Sequence, residues 1–214
     1  MNLFENNDWE EKSQNLIEKY KDKKHPLEYK NLFQLLVMVV LSAQDSDSNI
    51  NKISPKLFEV FPNMETLSVS NTETLIPHIS KVKNFQTKAS WLLEIAQTIK
   101  SDQNIPLTMQ ALTTLKGIGR KSANVIMRES NQTALGIIVD LHVVRVAPRI
   151  GFTDKTKDAI KIEKQLMQIF SNKTWNQIGM AISFLGRETC RPTNPKHNEC
   201  PIKEYCKFYN NNYK

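Results

Sequence analysis

Apolar side chains recur at intervals of three and four along almost the whole chain and no stretch alternates with period two, so the pattern predicts helices throughout and an all-α fold. Periodic segments fall at Asp8–Lys21, Asn31–Ala43, Ser46–Phe61, Asn71–Ile79, Thr87–Ser101, Thr108–Leu115, Arg120–Ser130, Leu141–Ile150, Thr156–Phe170 and Trp175–Arg187. Pro26, Pro62, Pro106 and Pro192 lie between these segments, where a missing N–H does no harm. The greasiest run, Leu32–Leu41, is about half as long as a membrane-spanning helix must be, which makes it a buried core helix. No segment repeats, and the asparagines at 210–212 read as a frayed tail. A chain of 214 residues can form one large domain or two small ones.

Composition narrows the partners. Lysine and arginine outnumber the acids 29 to 22, a formal net charge of +7 that favours a polyanion. The start, Met1-Asn2-Leu3-Phe4-Glu5, leads into no apolar segment, so neither a signal nor a transit peptide is expected and the expected location is the cytoplasm, with no membrane partner. Three cysteines, all after residue 189, are an odd number for a disulfide framework and raise the question of metal ligation.

The most informative stretch is Leu115-Lys116-Gly117-Ile118-Gly119-Arg120-Lys121-Ser122-Ala123-Asn124-Val125. Glycine tolerates positive φ, so Gly117 and Gly119 are expected to let the chain turn sharply and present successive backbone amides. The helix that follows begins with N–H groups lacking internal acceptors, a natural seat for an anion. With the helix before it, the unit reads as a helix-hairpin-helix that grips phosphate through Lys116, Gly117, Gly119, Arg120 and Ser122, without reading base sequence. Without its neighbours, a G-x-G turn is equally a plain αα-hairpin. Nineteen residues after Lys121 comes Val139-Asp140-Leu141-His142-Val143-Val144-Arg145-Val146. There an apolar approach ends in an aspartate suited to cap the next helix.

Taken together, these two motifs and the cysteine-bearing end resemble the endonuclease III family, bifunctional DNA glycosylases with AP-lyase activity, from about Asn31 to Cys206. The resemblance implies a two-lobed helix-hairpin-helix glycosylase fold, with a central bundle over 23–133 and a second lobe of 1–22 with 134–214. It further implies a cleft with Lys121 and Asp140 facing each other across it, and a C-terminal loop stapled by a metal cluster. Lys121 matches the family's nucleophile and Asp140 its catalytic partner. The chemistry suits those residue types: an amine attacking C1′ expels the base and leaves a Schiff base that permits β-elimination of the 3′ phosphate. A lysine at its ordinary pKa of about 10.4 is a poor nucleophile, so its surroundings must favour the neutral amine, while a nearby carboxylate can stabilise the positive charge that develops as the base departs. Ser42-Ala43-Gln44 matches the family motif whose glutamine fills the space left by a flipped base, an event that costs a few kcal/mol of stacking. Asn84 stands where a leucine wedge is usual, after Lys83 in place of a glycine. Lys81, Lys83 and Lys88 would attract phosphates along that edge, and His142 joins the expected DNA contacts. Asp47 matches an acid near the pocket or caps the next helix.

The resemblance implies as substrate damaged bases, oxidised pyrimidines among them, in double-stranded DNA. It implies later base-excision repair enzymes as partners and a monomeric protein. A monofunctional glycosylase of the same superfamily, for instance one acting on alkylated bases, and a non-catalytic DNA-binding module are the alternatives. The family's four-cysteine motif around a [4Fe-4S] cluster is altered here to Cys-x6-His-x2-Cys-x5-Cys, with His197 beside Cys190, Cys200 and Cys206. Imidazole can replace thiolate on a cluster iron, and three cysteines with a histidine are also a zinc set. The retained spacing favours a His-ligated cluster over zinc or no metal.

Overall fold

The computed structural model describes residues 8–213, and among them every regular element is helical. In chain order the α-helices are α1 (Trp9–Lys12), α2 (Gln14–Tyr20), α3 (Leu32–Ser42), α4 (Asp47–Val60), α5 (Met64–Ser68), α6 (Thr72–Ile79) and α7 (Phe85–Ile99). They continue with α8 (Met109–Leu112), α9 (Arg120–Glu129), α10 (Leu141–Ile150), α11 (Ala159–Ile169), α12 (Trp175–Glu188) and α13 (Lys207–Tyr213). The expectation drawn from Met1–Glu5 lies outside the described residues. Among the described residues no helix is long and apolar enough to cross a membrane.

The chain divides into two compact units: Lys24–Gln132 form one, and the described residues up to Lys23 with those from Thr133 onward form the other. In the first, α3 is the core helix its apolar run predicts. Phe33 and every residue from Leu35 to Leu41 are buried, and α4, α7 and α9 pack around it. Asn31 starts it by accepting the Gln34 amide at 2.9 Å, the expected service of an asparagine N-cap. In the second unit the same part falls to α12, buried continuously from Ile178 to Gly186 and packed against α2 and α10. A helix apolar on all sides must be enclosed on all sides, so each unit is organised around one such element.

Four local expectations are corrected. The single helix expected over 8–21 breaks at buried Ser13, whose carbonyl accepts the Leu16 amide in a tighter turn. α5 was not foreseen; it is five residues long and offers only Met64 and Leu67 to the core, too little for a periodic signal. α11 starts at Ala159, not Thr156, because Asp158 is its cap and accepts the amides of Ile160 and Lys161. The tail expected to fray instead forms α13, held by rings rather than by helix propensity: Tyr213 and Tyr209 sit 4.4 and 5.0 Å from the His197 ring.

Gly179 and Gly186 allow α12 to be approached closely. A Cβ at 179 would lie 2.6 Å from the Ile138 carbonyl oxygen, and one at 186 would lie 2.9 Å from the His142 Cβ. The first contact is with backbone and cannot be relieved by a rotamer change. We expect Gly179→Ala to destabilise the protein by about 1–3 kcal/mol, although alanine is the better helix former. A urea midpoint at or above that of the wild type would contradict this.

Candidate active site

The hairpin before α9 uses its two glycines differently from the sequence expectation. Gly117 has φ +76 and its missing Cβ would lie 2.5 Å from Cε3 of Trp91, so both backbone and space demand glycine. Gly119 is extended at φ −91 and nothing lies within 4 Å of where its Cβ would be. It is the N-cap of α9 and supplies no side-chain cap, so the first turn of this helix carries no built-in acceptor from its own cap residue. Buried Ile118 anchors the turn between them. Lys116, Arg120 and Lys121 are exposed and Ser122 is half-buried. The basic groups therefore surround an open amide-rich corner, which suits an anion. α8 ends at Leu112, short of the expected Leu115, and irregular turns complete the approach.

In the same unit, Gln44 and Asn84 are both exposed and both left-handed, at φ 58 and φ 57. Asn31, Asn63 and Asn71 cap helices from extended backbone with the side chain accepting an amide. Asn84 also precedes a helix, yet makes no such cap, so its amide is not committed to the backbone behind it. Lys81 and Lys83 are exposed, in keeping with the expected phosphate-attracting edge, but Lys88 is not: it is 2% exposed and its Nζ donates to the carbonyls of Leu41 and Ala43 at 2.7 and 2.6 Å. A lysine in the first turns of α7 thus stoppers the C-terminus of α3, where carbonyls lack helical partners. The next helix is capped by Ser46, which accepts the Asn49 amide, and not by Asp47, its first residue.

In the other unit, Asp140 is the N-cap of α10. One oxygen accepts the amides of His142 and Val143, each at 2.9 Å. The other accepts the Ser183 hydroxyl at 2.6 Å and lies 3.6 Å from Nη2 of Arg187. With its side chain 14% exposed, the carboxylate is fixed from three directions and still reachable. Sequence reasoning missed Ser183 and Arg187; their one signal was an i, i+4 pair on the buried stripe of α12. His142 is half-buried, with Nδ1 3.4 Å from Nη2 of Arg145. Arg145 donates to the carbonyls of Gly186 and Cys190, and Arg149, one turn on, to those of Arg191 and Pro192. Two arginines on the helix that Asp140 begins therefore hold the start of the cysteine loop.

Cys190, His197, Cys200 and Cys206 all line one pocket, together with apolar groups such as Ile150, Leu185 and Phe208. No disulfide links the three thiols. Burial pushes the Cys200 thiol up to about 11, with the other two thiols adding to the rise. The His197 ring is packed by Phe208, Tyr209 and Tyr213, and its Nε2 is buried with no hydrogen-bond partner among the described residues. Among those residues no three donors are gathered tightly enough for a single metal ion. Three thiols and one imidazole lining the same pocket are a donor set whose chemistry suits iron or zinc. The orphaned imidazole nitrogen in that wall fits a fourth ligand.

Residues 37–172 match the family model described as HhH-GPD superfamily base excision DNA repair protein. The chain is 33% identical to the endonuclease III of a Synechocystis species over 84% of its own length and 83% of the relative's. With the Rickettsia prowazekii endonuclease III it shares 37% identity over 86% and 87%. A solved structure of a trapped endonuclease III–DNA covalent intermediate superposes with a TM-score of 0.83 at 29% identity, covering 93% of this chain and 94% of that one.

The two glycines make a paired expectation. Gly117→Ala must adopt a left-handed backbone, costing about 1–2 kcal/mol, and must also displace the Trp91 indole. Gly119→Ala meets open space and should lose less than about 1 kcal/mol, the difference between the two as caps. Chemical denaturation of both variants checks the order; equal losses would refute it.

Proposed function

Since the chain belongs to the endonuclease III family of base excision DNA repair proteins and is accordingly a bifunctional DNA glycosylase and AP lyase, we propose that Lys121 is its nucleophile and Asp140 the carboxylate that serves the departing base. Lys121 Nζ, as the neutral amine, attacks C1′ of the damaged nucleotide while the C1′–N bond breaks and the base leaves with the proton the amine gives up. The C1′–O4′ bond then opens as O4′ is protonated, and the resulting protonated Schiff base acidifies the 2′ carbon, so that loss of a C2′ proton expels the 3′ phosphate by β-elimination. Asp140 offers fixed negative charge to the sugar cation that forms as the base departs, and a site for proton movement. The observation that carries this reading is the contrast between the two side chains. Lys121 is exposed on the first turn of a helix whose cap leaves room for a phosphate, whereas Asp140 is held rigid by two amides, a hydroxyl and a guanidinium.

Around that chemistry, the amides and side chains from Lys116 to Ser122 grip the phosphates, with His142 as a further contact, and Gln44 and Asn84 fill the space left by the flipped base. The substrate class is oxidised pyrimidines in duplex DNA. An amide at Asn84 pairs with the widowed base where an apolar wedge would only stack, so dependence on the opposite base is stronger than apolar filling gives. The enzyme acts as a monomer in the cytoplasm and passes nicked DNA to the later base-excision enzymes. Cys190, His197, Cys200 and Cys206 would hold the family's [4Fe-4S] cluster, whose contribution when bound is to cross-link a loop that has little apolar core of its own. The pocket is also where His197 accounts for its unpartnered nitrogen.

Borohydride reduction during turnover on lesion-containing duplex should trap a protein–DNA adduct. Lys121→Gln should abolish it while duplex binding persists, and Asp140→Asn should slow base release by about 10²–10³-fold. Base release without an adduct would overturn the assignment of Lys121. For the cluster, anaerobically purified protein should contain iron and acid-labile sulfide in equal amounts, reduced in His197→Ala and retained in His197→Cys. Stoichiometric zinc, or iron content indifferent to His197, would refute the ligand set.

A further inference from the structure

Lys88 is a charge in an apolar place. Removing an ammonium from water costs several kcal/mol unless it is paired, and here two carbonyls of the α3 terminus and the negative charge of Asp45 compensate it. Burial draws Lys88 below the ordinary lysine value, Asp45 opposes that, and the neighbouring Lys83 charge adds to it. The carboxylate of Asp45 is itself fully engaged. Its Oδ1 accepts the Ser46 amide at 2.7 Å and the Asn49 Nδ2 at 3.1 Å, and its Oδ2 accepts the Lys83 amide at 2.7 Å. Burial raises Asp45, but those hydrogen bonds and the Lys88 charge outweigh it and hold the group below the usual carboxylate range. Asn49 Nδ2 also donates to the Lys81 carbonyl at 3.1 Å.

These contacts join two turns far apart in sequence, and they do so at the residues flanking Gln44 and Asn84. Ala43, whose carbonyl Lys88 holds, precedes Gln44, and Asp45 follows it; Lys83, whose amide Asp45 holds, precedes Asn84. Both Gln44 and Asn84 occupy left-handed backbone, which a non-glycine residue adopts at a cost of about 1–2 kcal/mol. A loose turn would relax out of that conformation; a cross-linked one cannot.

We propose that Asp45 and Lys88 are positioning residues that lock the Gln44 turn and the Asn84 turn into one preset unit, so that both side chains enter the vacated base stack at a fixed spacing. The inference rests on the reading of Gln44 and Asn84 as gap-filling residues and deepens it. Side chains already held in place need no ordering when the base leaves, so the binding energy they return goes to extrusion. The polar link also explains how this chain supports an asparagine wedge after a non-glycine residue. The Lys83 amide is tied by a side chain, so the turn does not depend on the conformational freedom of a glycine at that position.

The test is Asp45→Ala in the full chain, read by amide hydrogen exchange and by two substrates. The Lys83 amide should exchange at least tenfold faster while the buried Leu92 amide of α7 keeps its protection, which shows that the fold is intact. On duplex lesion DNA, kcat/KM should fall about tenfold and the ratio between best and worst opposite bases should shrink. Borohydride trapping on single-stranded abasic DNA, where no opposite base is widowed, should proceed at the wild-type rate. In an Asp45→Ala/Asn84→Ala double variant the duplex loss should be smaller than the product of the two single-variant losses. Unchanged Lys83 exchange, equal losses on the two substrates, or additive losses in the double variant would overturn the clamp. If Gln44→Ala and Asn84→Ala both process duplex lesions like the wild type, the gap-filling reading falls instead, whereas the Lys83 exchange still decides whether Asp45 ties the turns.

Discussion

The second unit depends on how closely backbone can approach α12. Gly179 admits the Ile138 peptide and Gly186 admits the Cβ of His142, so the approach Ile137–Val139 and the first turn of α10 are both pressed onto one stripe of that helix. Ser183 and Arg187 lie on the same stripe, one and two turns beyond Gly179, and both address Asp140. The close approach and the anchoring of the carboxylate are thus one fact seen at successive turns. From Asp140 the geometry passes along α10 to Arg145 and Arg149, which fix carbonyls from Gly186 to Pro192. A side chain at position 179 would disturb the Asp140 carboxylate first and the thiol pocket soon after.

The first unit depends instead on where ordinary helix-end chemistry is withheld. Most helix starts in it are closed by an asparagine, serine or threonine accepting an amide. The starts of α7 and α9 are not, and these are the two that lead out of the Asn84 turn and the Gly117 hairpin. Left-handed Lys100 and Asn131 follow the ends of helices, where such backbone is common. Asn84 begins one, where it is not. Local rules broken without a local benefit mark positions held for another purpose.

What could be foreseen from sequence was what rests on near neighbours. The continuous apolar run gave α3, and the aspartate after Ile137-Ile138-Val139 gave a helix cap, because cap and period act within four residues. Gly117 was recognisable because a left-handed turn excludes other residues; Gly119 was over-read, since open space on one side of a backbone leaves no mark in composition. Lys88 was misplaced outright: a lysine among polar residues reads as solvated, and the carbonyls it meets come from 45 and 47 residues earlier. Ser183 and Arg187 were hidden for the same reason, their partner lying in another helix. α13 was missed because asparagine and tyrosine are weak helix formers, and what orders the segment is a histidine in the preceding loop.

That last arrangement bears on the order in which the protein matures. The rings of Phe208, Tyr209 and Tyr213 that orient His197 all come after Cys206 in the chain. A growing polypeptide therefore exposes all three thiols before the imidazole has anything to pack against. Domains are completed from the N-terminus as synthesis proceeds, so this corner is finished only after residues up to Tyr213 have left the ribosome. The wall of the pocket at His197 is therefore a property of the following helix as much as of the cysteine loop.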